Sequence, residues 1–268
     1  NLVVGQFAAS QFDSAVSWLF AADRLYQLPL GVVGIAVGIV LLPDLSRRLQ
    51  AGDDTGAKSA FSRAAEISLA LTIPASIALI VIPFPVVSVL FERGKTGPDD
   101  AAAIAVAVSI YGLGLPAFVI QKFIQPLYFA REDTRNPFRF ALVAMVVNAA
   151  LTIGLSPVIG WIAPAIAATV AGWTMVALLM IGARRMGDVA RFDAQLRRRI
   201  WRIVAASVVM GGFLWAGNIA LSPALGMPGV RYIALTALIT IGIIAYFIVG
   251  NLFGAFKLSE FKKAIRRS

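Results

Sequence analysis

Few side chains in this sequence stand where chemistry could be done, and they are of binding rather than catalytic types. Asp23 and Arg24 interrupt "LFAADRLYQLPLGVVGIAVGIVLLP", with uncharged runs on both sides. A guanidinium is the group that holds phosphate bidentately, and a buried one costs at least ~2.5 kcal/mol unless it faces water or an anion. If its helix starts at Ser14, Arg24 lies about 15 Å below the helix end. Should the helix start nearer Asp23, Arg24 simply snorkels to the headgroups. Asp23 cannot share its face, since helical neighbours diverge by roughly 100°. Lys122, in "VIQKFIQPLYFA", lies eight residues before Ala130 and can reach the interface along its alkyl stem. Asn148 and Thr152, one turn apart, can offer oxygens to a small cation, although interhelical hydrogen bonding is the commoner use. Histidine and cysteine are absent, so the usual general bases and thiol nucleophiles are missing. The spans hold no close carboxylate pair, and no glycine-rich loop with a lysine cradles a nucleotide. These residues point away from catalysis, with no bound cofactor and no metal centre expected.

The elements that must position them are membrane helices. The 268 residues are 59% hydrophobic and 14% charged, with mean hydropathy +0.82, whereas soluble domains are about a quarter charged. Charge-free runs cover 25–43, 67–91, 101–121, 140–183, 203–230 and 232–256. A crossing takes about 20 residues, and "SPVIGWIAP" divides the longest run into two spans with a tight turn. With a short first segment, Leu2–Ser10, the expectation is an all-α polytopic membrane protein of about eight segments, because open strands leave their backbone unsatisfied in lipid. The opening "NLVVGQFAAS" reads as the interior of a helix, so the chain is expected to be the C-terminal part of something longer.

The net charge of +10 follows topology rather than nucleic acid. Read alternately, one set of loops holds nearly all the basic residues, including Arg47, Arg48, Arg131, Arg135, Arg184, Arg185, Arg197, Arg198, Arg199 and the tail from Lys257 to Arg267. The other holds Arg93, Lys95 and Arg231. The positive-inside rule makes the first set and the C-terminus cytoplasmic, and attraction of anionic membrane lipids follows. In "GDVARFDAQLRRRIWRI", Val189, Phe192, Leu196, Ile200 and Ile203 recur at helical spacing opposite arginines, as in an amphipathic surface helix. The organisation expected is a lobe over 1–183, a linker helix over 184–202, a helix pair over 203–254 and a cytoplasmic tail over 255–268. Within the first lobe, Asp13 and Ser14 are suited to cap a helix reaching Leu42, Pro29 to kink it, and Gly34 with Gly38 to pack closely on a neighbour. Asp99 and Asp100 suit the N-terminus of the next long helix.

Three strings carry a resemblance: "AADRLYQLPLGVVGIAVGIVLLPDLSRRL", "FERGKTGPDD" and "QPLYFAREDTRNPFRFAL". Together they resemble the MurJ/MviN family, lipid II flippases of peptidoglycan synthesis within the MOP exporter superfamily. The resemblance runs over nearly the whole chain. It implies a fourteen-helix protein of two six-helix lobes around a cavity, of which this chain is the second lobe plus an extra helix pair in the bacterial cytoplasmic membrane. It further implies lipid II as cargo, an N-terminal lobe as partner, Arg24 with Asp23 and Lys122 at the diphosphate, and a lipid-tail groove over 203–254. Some relatives carry an acid on the eleventh helix for sodium. The corresponding span, Phe140 to Leu155, offers only Asn148 and Thr152, which leaves the membrane potential or another monovalent cation as the drive. Export of another polyprenyl-linked saccharide or a drug, and a non-transporting cell-wall scaffold, are the alternative readings.

Overall fold

The computed structural model describes residues 14–94, 96–186, 194–227 and 229–254. Among them are eight α-helices and no strand: α1 Ala15–Gln50, α2 Asp54–Val81, α3 Pro83–Phe91, α4 Pro98–Phe129, α5 Arg135–Ile159, α6 Ala163–Ala183, α7 Ala194–Leu225 and α8 Val230–Leu252. Five stretches are long and apolar enough to cross a membrane, with 135–183 counted as one. The expected short segment at Leu2–Ser10 lies outside the described residues.

The helix ends have local causes. Asp53 caps α2 by accepting from the Gly56 N–H at 2.8 Å. A Cβ on Gly56 would come within 1.9 Å of the Asp53 carboxylate, so the close approach requires glycine there. Asp100 does two jobs at the start of α4, as its acidic first turn suggests: one oxygen accepts from the Gly97 N–H at 3.0 Å, the other from Trp18 Nε1 at 2.8 Å. Gly160, at φ 64°, stops α5, and a single 3₁₀ turn leads into α6. That is the tight turn expected of "SPVIGWIAP".

Four expectations need correction. α1 runs to Gln50, not Leu42, because Asp44 and Arg48 continue the helix with an i,i+4 pair at 3.0 Å. Ser14 precedes α1 in a left-handed conformation and makes no side-chain cap, and Asp13 lies outside the described residues. The run 67–91 is broken at Ile82: Pro83 has no N–H to give and disfavours helical geometry in the residue before it, and Ile82 sits at φ −124°, ψ 43°. Finally, a Cβ on Gly34 would meet nothing within 4 Å, so that glycine is not at a close helix contact; the surroundings of Gly38 lie outside the described part of the chain. Of the amphipathic segment, Val189 and Phe192 are also outside it, while Leu196 and Ile200 form the first turns of α7.

α4 is the central element, packed on α1, α2, α3 and α6. α5 pairs with α6, and α7 pairs with α8 while resting on α2. Lipid tails are as apolar as leucine, so contact area alone cannot drive helices together; close packing and interhelical hydrogen bonds must contribute. Both are present. Ser76 donates to the Gly112 carbonyl, Thr169 to Ile110, Tyr128 to Leu179 and Tyr246 to Ala70, at 2.6, 3.0, 2.6 and 2.7 Å. Such bonds contribute about 0.6 kcal/mol each on average. Between α7 and α8, the buried Leu214 lies where a Cβ on Gly242 would stand, and Leu238 does the same opposite Gly217.

Candidate functional site

The α1, α4, α5 and α6 helices enclose a cavity of about 470 Å³. Its polar lining comes from Asp23, Tyr26 and Gln27 on α1, Tyr111, Gln121 and Gln125 on α4, and Asn148 on α5. None of the lining residues is basic, and Asp23 brings the only formal charge among them. Its carboxylate accepts a hydrogen bond from the Gln27 amide. The Tyr26 ring is held between Tyr111 and Phe118, centroids 5.0 and 5.5 Å away. Phe118 in turn lies against Gly172, where a Cβ would come within 2.8 Å of the ring. Gln121 spans the wall from α4 to α6, donating to the Gly172 carbonyl at 3.0 Å. The result is a rigid aromatic floor beneath one carboxylate and several amides, a setting suited to cations and hydrogen-bonding groups.

The residues singled out in the sequence separate into three places. Asp23 and Asn148 line the same cavity from different helices, and Asn148 is only 3% exposed. Thr152 lies one turn further along α5, fully buried, its hydroxyl oxygen without a hydrogen-bond partner; its carbonyl accepts from Ser156 at 2.6 Å. Arg24 is exposed and does not line the cavity; its guanidinium carbon lies 4.7 Å from the centroid of Phe20, which is a lining residue. It has no ion-pair partner among the described residues. Around it, Phe20, Leu28 and Val32 form an exposed stripe on α1, and Gly31 meets nothing within 4 Å. Lys122 is exposed on α4 and does not line the cavity.

Sequence reasoning missed Gln121 and Gln125, which flank Lys122 one residue before and three after. The signal was available: two glutamines four residues apart lie on one helical face, and the lysine between them must then point elsewhere. Tyr26 and Tyr111 were missed because an aromatic in an apolar run looks like core.

The described residues contain no cluster of histidine, cysteine or acidic side chains fit for a metal. Within the cavity the one carboxylate, Asp23, is paired with an amide rather than with a hydroxyl. The arrangement can bind and partly neutralise.

Comparison with known proteins agrees with that reading. A family profile described as lipid II flippase MurJ matches residues 1–250. A probable lipid II flippase MurJ of Rhizobium tropici is 40% identical over 270 residues, covering 100% of this chain and 50% of that protein. The corresponding protein of Rhizobium meliloti (strain 1021) is 41% identical over 271 residues, with the same coverage. A solved structure of lipid II flippase MurJ in an inward closed conformation superposes with a TM-score of 0.77 at 25% identity, over 94% of this chain and 50% of that one. The chain thus spans about half the length of the curated relatives it matches. In sequence and in the order of its helices it belongs to the MurJ family of multi-pass membrane proteins.

Proposed function

We propose that this chain forms the C-terminal half of a flippase that carries lipid II from the inner to the outer leaflet of the bacterial cytoplasmic membrane. The observation that carries the reading is Arg24: an exposed, unpaired guanidinium nine residues into α1, about 14 Å from the helix end. Such a charge has to meet water or an anion, and the exposed stripe around it is the surface that an N-terminal lobe would face across a central cavity. The lipid diphosphate is the counter-charge. Both lobes rock about it, exposing the site to one side and then the other; no bond is made or broken, so the protein is a transporter and not an enzyme. The excess of basic residues in one set of loops supports a cytoplasmic C-terminus, and the pair α7–α8 offers apolar faces for the polyprenyl tail. Asp23 and Asn148, facing the inner-lobe cavity rather than Arg24's surface, make that cavity the candidate place for coupling to the membrane potential or a monovalent cation.

The test uses cells depleted of their own flippase and rescued by the full-length protein, with lipid II on the outer face quantified at equal expression. Arg24→Ala is expected to lower exposed lipid II more than tenfold, since a charge-assisted bidentate contact is worth at least about 1.5 kcal/mol, and Arg24→Lys to restore part of it. Failure of well-expressed wild type to restore exposure would overturn lipid II as the cargo; full activity in Arg24→Ala would remove Arg24 from the site.

A further inference from the structure

Basic residues are scarce in the loops assigned to the outer side, where the sequence has Arg93, Lys95 and Arg231. The fold brings two of them together from distant parts of the chain. Arg231 is the second residue of α8, and its Nη2 donates to the carbonyl of Glu92, just past the end of α3, at 3.3 Å. Arg93 is the next residue, its own Nη2 bound to the Leu90 carbonyl at 2.8 Å. The Arg231 guanidinium carbon lies 5.3 Å from the Tyr232 ring centroid, and its Nη2 is 3.5 Å from the Tyr232 hydroxyl.

This pair lacks the partners that arginines usually have. Neither forms an ion pair with a carboxylate among the described residues; the one acid between them, Glu92, accepts instead from the Ser88 hydroxyl. The Nε of Arg231 is buried and has no hydrogen-bond partner, which leaves its desolvation uncompensated. The N-cap of α8, Gly229, supplies no side-chain cap, but the Arg231 N–H is already given to the Met227 carbonyl at 3.1 Å, so recognition falls to the guanidinium groups. Exposed apolar side chains adjoin it: Val230 and Ile233 on α8 and Met227 before it. Two guanidinium groups and an apolar flank at a membrane surface match a phosphate attached to a lipid.

We propose that Arg93 and Arg231 form a phosphate-binding site at the outer membrane surface, for a lipid whose chains lie along α7 and α8. Its outer placement rests on the orientation proposed for the flippase. The phosphate can belong to the polyprenyl diphosphate of the cargo after it has crossed, or to an anionic phospholipid of the outer leaflet; the chemistry of recognition is the same.

The experiment is native mass spectrometry of the full-length protein titrated with undecaprenyl diphosphate and with phosphatidylglycerol, diacylglycerol serving as the phosphate-free control. R93Q/R231Q is expected to weaken one of the two phosphate lipids by about tenfold or more, with R93K/R231K in between and diacylglycerol unaffected. Loss confined to undecaprenyl diphosphate assigns the site to the departing cargo; loss confined to phosphatidylglycerol assigns it to a resident phospholipid. R93Q alone, at an exposed position, is expected to give part of the same shift without disturbing the fold. Unchanged binding of both lipids in the double variant and in R93Q would overturn the site. Arg24→Ala is run in parallel: a shift there with none in R93Q/R231Q rejects the outer site and leaves the flippase reading intact, and the reverse pattern keeps the site while rejecting the role of Arg24.

Discussion

Two parts of the bundle solve the problem of holding helices together in lipid differently. The α1, α4, α5 and α6 helices stand around a polar cavity, bridged by amides and stacked aromatics. The α7 and α8 helices meet each other directly, Leu214 against Gly242 and Leu238 against Gly217, and Ala206 and Met210 close a dry cluster with Ile82 at the end of α2. A cavity kept open by polar groups can admit ligand or water. An interface closed by leucine on glycine admits neither, and it holds the extra pair as one body. The contrast separates a cavity that can admit ligand from a seam that contributes stability; the lipid contacts proposed for α7 and α8 fall on their exposed faces, not in that seam.

Three variants sharpen or break that division. Gly217→Leu combined with Gly242→Leu should have the largest effect, because overpacking costs about 1–3 kcal/mol at each site. Thermal unfolding of the full-length protein in detergent should show a clear loss, and an unchanged transition would mean that α7 and α8 are not held by this contact. Asp23→Asn should do the opposite. It keeps the shape and the Gln27 hydrogen bond while removing the cavity's charge, so unfolding should move little while lipid II exposure falls by about tenfold, equivalent to ~1.4 kcal/mol. Equal losses of stability and transport would end the division of labour. The smallest effect is expected at Asp53, outside the membrane. Its carboxyl is held below the usual carboxylate range by the Gly56 N–H and the Thr55 hydroxyl. A depressed folded pKa means the stabilisation is complete above the unfolded value of about 3.9 and is lost as pH falls through the lower folded value. Asp53→Ala should therefore lower stability slightly near neutrality and flatten the acid limb of the stability curve; an acid limb as steep as that of the wild type would mean that other carboxylates set it.

Much of this arrangement is legible in the sequence. Charge-free runs locate the spans because lipid excludes charge so strongly, and the divergence of neighbours on a helix is enough to separate Asp23 from Arg24. The same rule applied one step further removes Lys122 from the cavity and brings in Gln121 and Gln125, but charge draws attention and uncharged amides do not. The boundary of α1 is illegible for another reason. Hydropathy marks where lipid ends, whereas the Asp44–Arg48 pair carries the helix beyond it. Nor can spacing show that Gly34 faces open space while Gly172 and Gly242 are covered, since which glycine is covered depends on tertiary neighbours.

The interruption at Ile82 divides the load between two levers. Below it, α2 is tied to α7 and α8 through the Arg199–Glu66 ion pair and the Tyr246–Ala70 hydrogen bond. Above it, α3 is fastened to the start of α8 through Arg231 and Glu92. A continuous helix would transmit any tilt of its upper third to its base. With Ile82 out of helical geometry and no N–H at Pro83 or Pro85, α3 leaves α2 on its own course, and each keeps a separate tie to the α7–α8 pair.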